Sequence, residues 1–86
     1  MREVETAQAW YQARSVFAAS AFLREFSIAV QHVREAPNRF ALAGGGTRRI
    51  LLNRFPFTIY YRVGTEGVVV VALAHHKRRP SYWSSR

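Results

Sequence analysis

The chain has 86 residues, no cysteine and a formal net charge of +8 at pH 7. A chain of this length supports one small core, and the lack of cysteine excludes disulfides and thiolate metal sites as sources of stability. No run approaches the roughly 20 apolar residues of a membrane-spanning helix, and the N-terminal sequence lacks the apolar stretch of a secretory signal. The sequence predicts one soluble, cytoplasmic domain over residues 1–86, with no membrane partner.

The charge is distributed unevenly along the chain. Residues 1–43 hold five Arg and four Glu, whereas residues 44–86 hold seven Arg and Lys77 against Glu66 alone. A basic half of this kind attracts polyanions and acidic protein surfaces without choosing among them. Nucleic acid, a nucleic-acid enzyme and an acidic partner chain are therefore all candidate partners, and a surface that is merely well solvated is the alternative.

The first predicted element is a helix from Arg2 to Arg14, in which Val4, Ala7, Trp10 and Tyr11 lie near one face at helical spacing, and Trp10 is expected in the core. Ser15 follows and is a typical N-cap residue for a second helix.

The second helix has the stronger pattern and spans about 20 residues, because apolar side chains recur on a single stripe. The residues of this stripe are Phe22, Phe26, Ala29, Val30 and Val33. Pro37 ends the helix because proline disfavours helical geometry at Ala36 and has no N–H to donate. The two helices, within residues 1–36, are predicted to form a hairpin.

Three strand-like runs follow, beginning at Arg48, Phe57 and Val68, after three glycines at 44–46 that indicate a flexible break. Helices that precede antiparallel strands predict an α+β fold. We expect an N-terminal α-helical hairpin packed on one face of a small three-stranded antiparallel β-meander, residues 48–76. A basic and aromatic tail, residues 77–86, follows the meander. Since two helices cover one sheet face, the other is either hidden by the tail or offered to another chain.

The sequence offers little for metal or cofactor chemistry. His32 has no second ligand one helical turn away, and the neighbours His75 and His76 would point to opposite sides of a strand. The glycine run lacks the Gly-Lys-Ser/Thr ending of a phosphate-binding loop. We expect no metal site and no cofactor.

Basic and aromatic side chains form the candidate target-binding set. Guanidinium groups grip phosphates or carboxylates in two-point contacts, and aromatic rings offer stacking faces. The set comprises Arg49, Arg54, Arg62, Lys77, Arg78, Arg79, Tyr82 and Trp83. Arg49 and Arg54 are assigned to the first predicted strand. The alternatives are that Trp83 forms a lid over the sheet and that the arginines are ordinary solvated residues.

The same region could cleave RNA if an arginine stabilised the strained phosphate while His75, His76 or Tyr82 moved a proton. The candidate catalytic residues in that case are Arg49, His75, Lys77, Arg79 and Tyr82.

Four blocks of sequence resemble the RelE/ParE-type toxins of bacterial type II toxin–antitoxin modules. These blocks are AWYQARS, FLREF with VREAPNRF, RRILLNRFPFTIYYRV and VVVVALAHHKRRPSYW. The resemblance implies a toxin that arrests growth when free and is neutralised by an antitoxin with an acidic toxin-binding segment.

The two branches of this family have different targets. Ribonuclease members cut messenger RNA on the ribosome, and the positions that resemble their catalytic set are Arg49, Leu51 and Thr58. Only Arg49 is basic here, whereas Leu51 cannot exchange a proton and Thr58 carries no charge. The resemblance therefore favours the ParE-like branch, which inhibits DNA gyrase by binding, over the ribosome-dependent endoribonuclease. A non-toxic basic domain that binds nucleic acid is a third hypothesis.

Relatives begin with a strand ahead of the first helix, whereas this chain opens almost in the helix. We therefore expect either that the sheet is smaller than in these relatives or that the given chain starts late. An exposed strand edge would invite an antitoxin segment or a second copy, so a homodimer or a higher toxin–antitoxin assembly are both hypotheses.

Overall fold

The computed structural model describes residues 2–76 and shows two helices followed by an antiparallel sheet. The helices are α1 (Arg2–Gln12) and α2 (Val16–Glu35). The strands are β1 (Ala41–Gly44), β2 (Thr47–Leu51), β3 (Phe57–Gly64) and β4 (Gly67–His75), and they lie in the order β1-β2-β3-β4. The predicted α+β fold with an N-terminal helical hairpin is confirmed.

Local contacts fix both ends of α2. The Ser15 hydroxyl accepts a hydrogen bond from the Ala18 N–H at 3.2 Å, so the predicted N-cap is confirmed. At the other end the Ala36 N–H donates to the His32 carbonyl at 3.2 Å, and the helix stops before Pro37 as predicted. Within the described residues, no helix is long and apolar enough to cross a membrane.

The sheet has four strands rather than the three that the sequence predicted. Gly44 ends β1 and Gly45 and Gly46 form a tight turn to β2, and all three have positive φ angles that glycine adopts without strain. The Thr47 hydroxyl closes the turn by donating to the Gly44 carbonyl at 2.6 Å. The strand β1 gave no signal because its sequence, ALAG, consists mostly of residues with low strand propensity.

One face of the sheet packs on both helices and forms the main core. The buried residues of this core are Ala7, Phe22, Ala29, Leu52, Ile59 and Leu73. A bulge in β4 adds one residue opposite the Tyr60–Tyr61 step, so Tyr60 pairs with Ala72 and Tyr61 with Val70. The bulge lets Val70 and Leu73 both contribute to the helix side, although three positions separate them.

Tyr61 ties the connection between α2 and β1 to this core. Its ring is fully buried and its hydroxyl donates to the Pro37 carbonyl at 2.7 Å. The neighbouring Arg48 Nη1 donates to the Phe40 carbonyl at 2.7 Å. Burial raises the pKa of the Tyr61 hydroxyl, and the positive charge of Arg48 opposes part of that rise. The phenol therefore stays neutral and keeps its donor function at physiological pH.

Candidate functional site

The second face of the sheet is the candidate binding surface, because both helices pack on the other face. We call it the helix-free face and define it by Thr47, Arg49, Leu51, Thr58, Tyr60, Arg62, Val69, Ala72 and Ala74. Its centre is closed, since Tyr60 packs in one cluster with Ala43 of β1 and with Val71, Ala72 and Ala74 of β4. Among the residues that define this face, the exposed side chains are those of Arg49, Leu51, Arg62 and Val69.

Strand pairing brings Arg49 and Arg62 together on this face. Arg49 of β2 lies directly opposite Tyr60 of β3, and Arg62 is two residues further along β3 on the same side. Such diagonal neighbours have Cα atoms about 7–8 Å apart. Arginine side chains are long enough for their guanidinium groups to come close together at that separation. Both side chains are exposed. The pair therefore offers two adjacent cationic forks for carboxylates or phosphates.

Exposed aliphatic side chains flank the two arginines. Leu51 is 55% exposed and Val69 is 47% exposed, although both belong to regular strands. Val69 is the direct partner of Arg62 in the strand pairing, and Leu51 follows Arg49 on β2 by two residues. A ligand that reaches both arginines therefore also meets apolar surface, which suits a protein segment with mixed acidic and apolar residues.

Arg54 is not part of β2, contrary to the prediction. The strand ends at Leu51, and Arg54 lies in the connection to β3 that precedes Pro56. Glu25 of α2 holds this connection, because its carboxylate accepts hydrogen bonds from the backbone N–H groups of Asn53 and Arg54. The bond to Arg54 measures 3.2 Å. The backbone of Arg54 is thus anchored to the helical layer, away from the helix-free face.

The two histidines at the end of β4 point to different environments, as their neighbouring positions predicted. His75 lies on the helix side, where its ring meets the edge of Phe57 at 5.1 Å between centroids. His76 lies at the helix-free face, where its Nε2 is 3.1 Å from the Thr58 hydroxyl. The His76 backbone N–H donates to the Pro56 carbonyl at 2.9 Å, which fixes the end of the strand.

The other predicted residues, Lys77, Arg78, Arg79, Tyr82 and Trp83, lie outside the described part of the chain. Among residues 2–76, no group of three or more His, Cys, Asp or Glu side chains is arranged to hold a metal ion.

The positions that resemble the ribonuclease set do share one surface. Leu51 pairs directly with Thr58, and Arg49 pairs with the next residue on that face, Tyr60. The nearby imidazole of His76 is already bonded to Thr58. Of the three positions, only Arg49 carries a charge, so the arrangement offers one cationic group and no proton-transfer group at Leu51 or Thr58.

A groove of about 680 Å³ opens on the helix side between α1 and the end of β4. Trp10, Tyr11, Phe57 and Leu73 give it a largely apolar lining, and Arg2 and Glu3 stand at the helix N-terminus. Burial raises the pKa of the Tyr11 hydroxyl. Trp10, which was expected in the core, is 51% exposed at this groove, so that prediction was wrong. The pair of exposed arginines lies on the opposite side of the sheet.

Glu25 is a positioning residue that the sequence did not reveal, because its contacts lie 28 and 29 residues away. We expect Glu25→Gln to lower the free energy of unfolding by about 1–2 kcal/mol, since a carboxylate accepts backbone N–H bonds more strongly than an amide. Glu35→Gln is the matched control, because Glu35 is exposed on the same helix and bonds only to Gln31 within the described residues. Urea unfolding of both variants measures the difference, and equal losses would contradict the assignment.

Comparison with known families agrees with these features. A family model described as the ParE toxin of type II toxin-antitoxin system, parDE, matches residues 1–80, which is nearly the whole chain. Searches among curated proteins and among solved structures give no match. The resemblance to ParE-type toxins that the sequence blocks indicated is confirmed. The chain therefore belongs to the ParE toxin family of type II toxin–antitoxin systems.

Proposed function

We propose that this protein is a toxin that arrests growth by binding and inhibiting DNA gyrase in the cytoplasm. The observation that carries the proposal is the composition of the helix-free face at the positions where ribonuclease relatives place their chemistry. Leu51 and Thr58 face each other there, and neither gives or takes a proton near neutral pH. A surface of this kind acts by binding to a partner protein rather than by cleaving a substrate.

The same face supplies the contacts that inhibition by binding requires. Arg49 and Arg62 would pair with carboxylates of the target, and Leu51 and Val69 would pack against its apolar side chains. We propose that Lys77, Arg78, Arg79, Tyr82 and Trp83, which lie outside the described residues, also bind the target. Their basic groups can pair with carboxylates or phosphates, and their aromatic rings can stack on flat groups of the target.

A cognate antitoxin would use the same chemistry to neutralise the toxin. The helix-free face is basic, so an acidic antitoxin segment would be attracted to it and would compete with the target for Arg49 and Arg62. Neutralisation by competition requires no conformational change in the toxin.

A supercoiling assay tests the proposal directly. Relaxed plasmid, purified gyrase and ATP are incubated with increasing amounts of the purified chain, and supercoiled product is quantified. We expect supercoiling to fall in a saturable manner, and an acidic antitoxin added in excess should restore it. Undiminished supercoiling at saturating protein, or harmless overexpression of the folded chain without an antitoxin, would overturn the proposal.

Ribosome-dependent RNA cleavage is the second candidate, and one contact favours it. The His76 imidazole lies against Thr58 on the face that carries Arg49, so a proton-transfer group and a guanidinium share one surface. Mapping of transcript ends after induction separates the two functions. New cuts within reading frames that disappear in the His76→Gln variant would establish cleavage, whereas intact transcripts in growth-arrested cells would exclude it.

A further inference from the structure

The described part of the chain ends at His76, and two contacts hold this residue in place. Its backbone N–H donates to the Pro56 carbonyl at 2.9 Å, and its imidazole Nε2 lies 3.1 Å from the Thr58 hydroxyl. His76 follows the last residue of β4, so the regular pairing of the strands does not account for these contacts. The residue is also exposed, so the core does not require its side chain.

The first of these contacts joins His76 to a connection that is itself fixed. Pro56 is the last residue of the β2–β3 connection. The Glu25 carboxylate of α2 accepts hydrogen bonds from two backbone N–H groups of this connection. The Phe55 ring packs against Tyr11 of α1 and Phe22 of α2, at 5.0 and 5.5 Å between centroids. The carbonyl that holds His76 is therefore tied to both helices.

The second contact holds His76 against the helix-free face. Thr58 is buried in the middle of the sheet, where it pairs with Leu51 of β2 and with Ala74 of β4. Arg49 lies two residues from Leu51 on the same face. The residue that precedes the basic run at 77–79 is thus fixed at the face that carries an exposed arginine.

We propose that His76 is a positioning residue for target binding, because its bonds to Pro56 and Thr58 fix the point from which the basic residues 77–79 begin. The inference rests on the proposed function, in which those basic residues bind the target. A segment that is restrained at its origin loses less conformational entropy when it binds. His76 therefore strengthens binding without touching the target itself.

Substitutions on both sides of the His76–Thr58 contact test this role in the supercoiling assay. We expect His76→Ala and Thr58→Val each to weaken inhibition about fivefold, through the added cost of ordering the segment. The combined variant should lose no more than either one, because both changes remove the same interaction. His32→Ala is the matched control, since His32 is exposed on α2, and it should inhibit like the wild type. Circular dichroism verifies that each variant folds.

The conservative variant His76→Gln separates positioning from proton transfer. The glutamine amide can still hydrogen-bond to the Thr58 hydroxyl, but it does not titrate near neutral pH. We expect His76→Gln to restore inhibition to within about twofold of the wild type. A loss as large as that of His76→Ala would overturn the proposal.

A double-mutant cycle tests whether His76 acts through the basic run. The background variant is Lys77→Ala with Arg78→Ala, in which Arg79 remains so that binding to gyrase stays measurable. Adding His76→Ala to this background should weaken binding less than about twofold, because little is left to position. An equal loss in both backgrounds would show that His76 contacts the target itself, and it would overturn the positioning role.

Hydrogen exchange of the free chain tests the anchor without any target. The His76 amide should exchange at least about tenfold more slowly than an unprotected amide, and Thr58→Val should reduce that protection. An unprotected His76 amide in the wild type would overturn the anchor whatever the target is. Growth arrest without inhibition of supercoiling would instead overturn gyrase as the target, and the toxicity of the same variants would then decide the role of His76. A harmless wild-type chain would overturn both proposals.

Discussion

Replacing Arg49 and Arg62 together by alanine is expected to weaken binding of the target at least about 100-fold while the protein remains folded. Each arginine is exposed, and between residues 2 and 76 its side chain makes no hydrogen bond that the core depends on, so its removal should change stability by less than about 0.5 kcal/mol. In the complex, each guanidinium would pair with a carboxylate, and truncating one partner of such a pair costs about 2–5 kcal/mol. Toxicity in cells and inhibition of supercoiling in vitro should both be lost.

A second double variant separates local contacts from total charge. Arg24→Ala with Arg34→Ala removes the same two charges from exposed positions of α2, on the other side of the molecule from the helix-free face. Long-range attraction to an acidic partner falls equally in both double variants. Only the loss of Arg49 and Arg62 should remove the short-range pairs, so the α2 variant should retain most of the activity. Equal loss in both variants would show that net charge alone drives binding.

Salt dependence gives an independent measure of the same contacts. If Arg49 and Arg62 form close pairs with the target, wild-type inhibition should weaken as salt rises, since exposed charges are screened over about 8–10 Å at physiological ionic strength. The Arg49 and Arg62 double variant should have a smaller salt dependence than the wild type. If the double variant had the same salt dependence as the wild type, both arginines would lie outside the interface.

The helical hairpin was predictable from the sequence because its signals are local. The Ser15 cap, the recurrence of Phe22, Ala29 and Val33, and the stop at Pro37 each lie within one or two turns of the structure that they specify. The strand β1 was not predictable, because alanine and glycine carry almost no strand signal and pairing with β2 overrides their propensity.

The candidate site was predictable only where strand periodicity determines the geometry. Alternation along β2 and β3 places Arg49 and Arg62 on one face, as the sequence suggested. The position of Arg54 depends on Glu25, which is distant in sequence, and no local pattern encodes that contact. The exposure of Phe17 was also hidden, because an apolar residue at the start of a helix usually joins the core.

The second large effect is expected for Phe22→Ala, which should lower the free energy of unfolding by about 3–5 kcal/mol. Phe22 is fully buried, and besides Phe26 of its own helix its ring packs against Tyr11, Phe55 and Phe57, at 5.5, 5.5 and 5.6 Å between centroids. These rings come from α1, from the β2–β3 connection and from β3, so a cavity at Phe22 loosens the helices from the sheet. A domain of this size has a total stability of only about 4–13 kcal/mol.

Phe17→Ala is the matched control for that substitution, because it makes the same chemical change on the same helix at a side chain that is 87% exposed. It should change stability by less than about 0.5 kcal/mol. Thermal unfolding should show a fall of more than about 12 °C for Phe22→Ala, since each kcal/mol shifts the midpoint by about 4–8 °C in a small domain. Similar midpoints for the two variants would mean that the aromatic cluster does not join the helices to the sheet. The helix-free face would then owe its geometry to strand pairing alone.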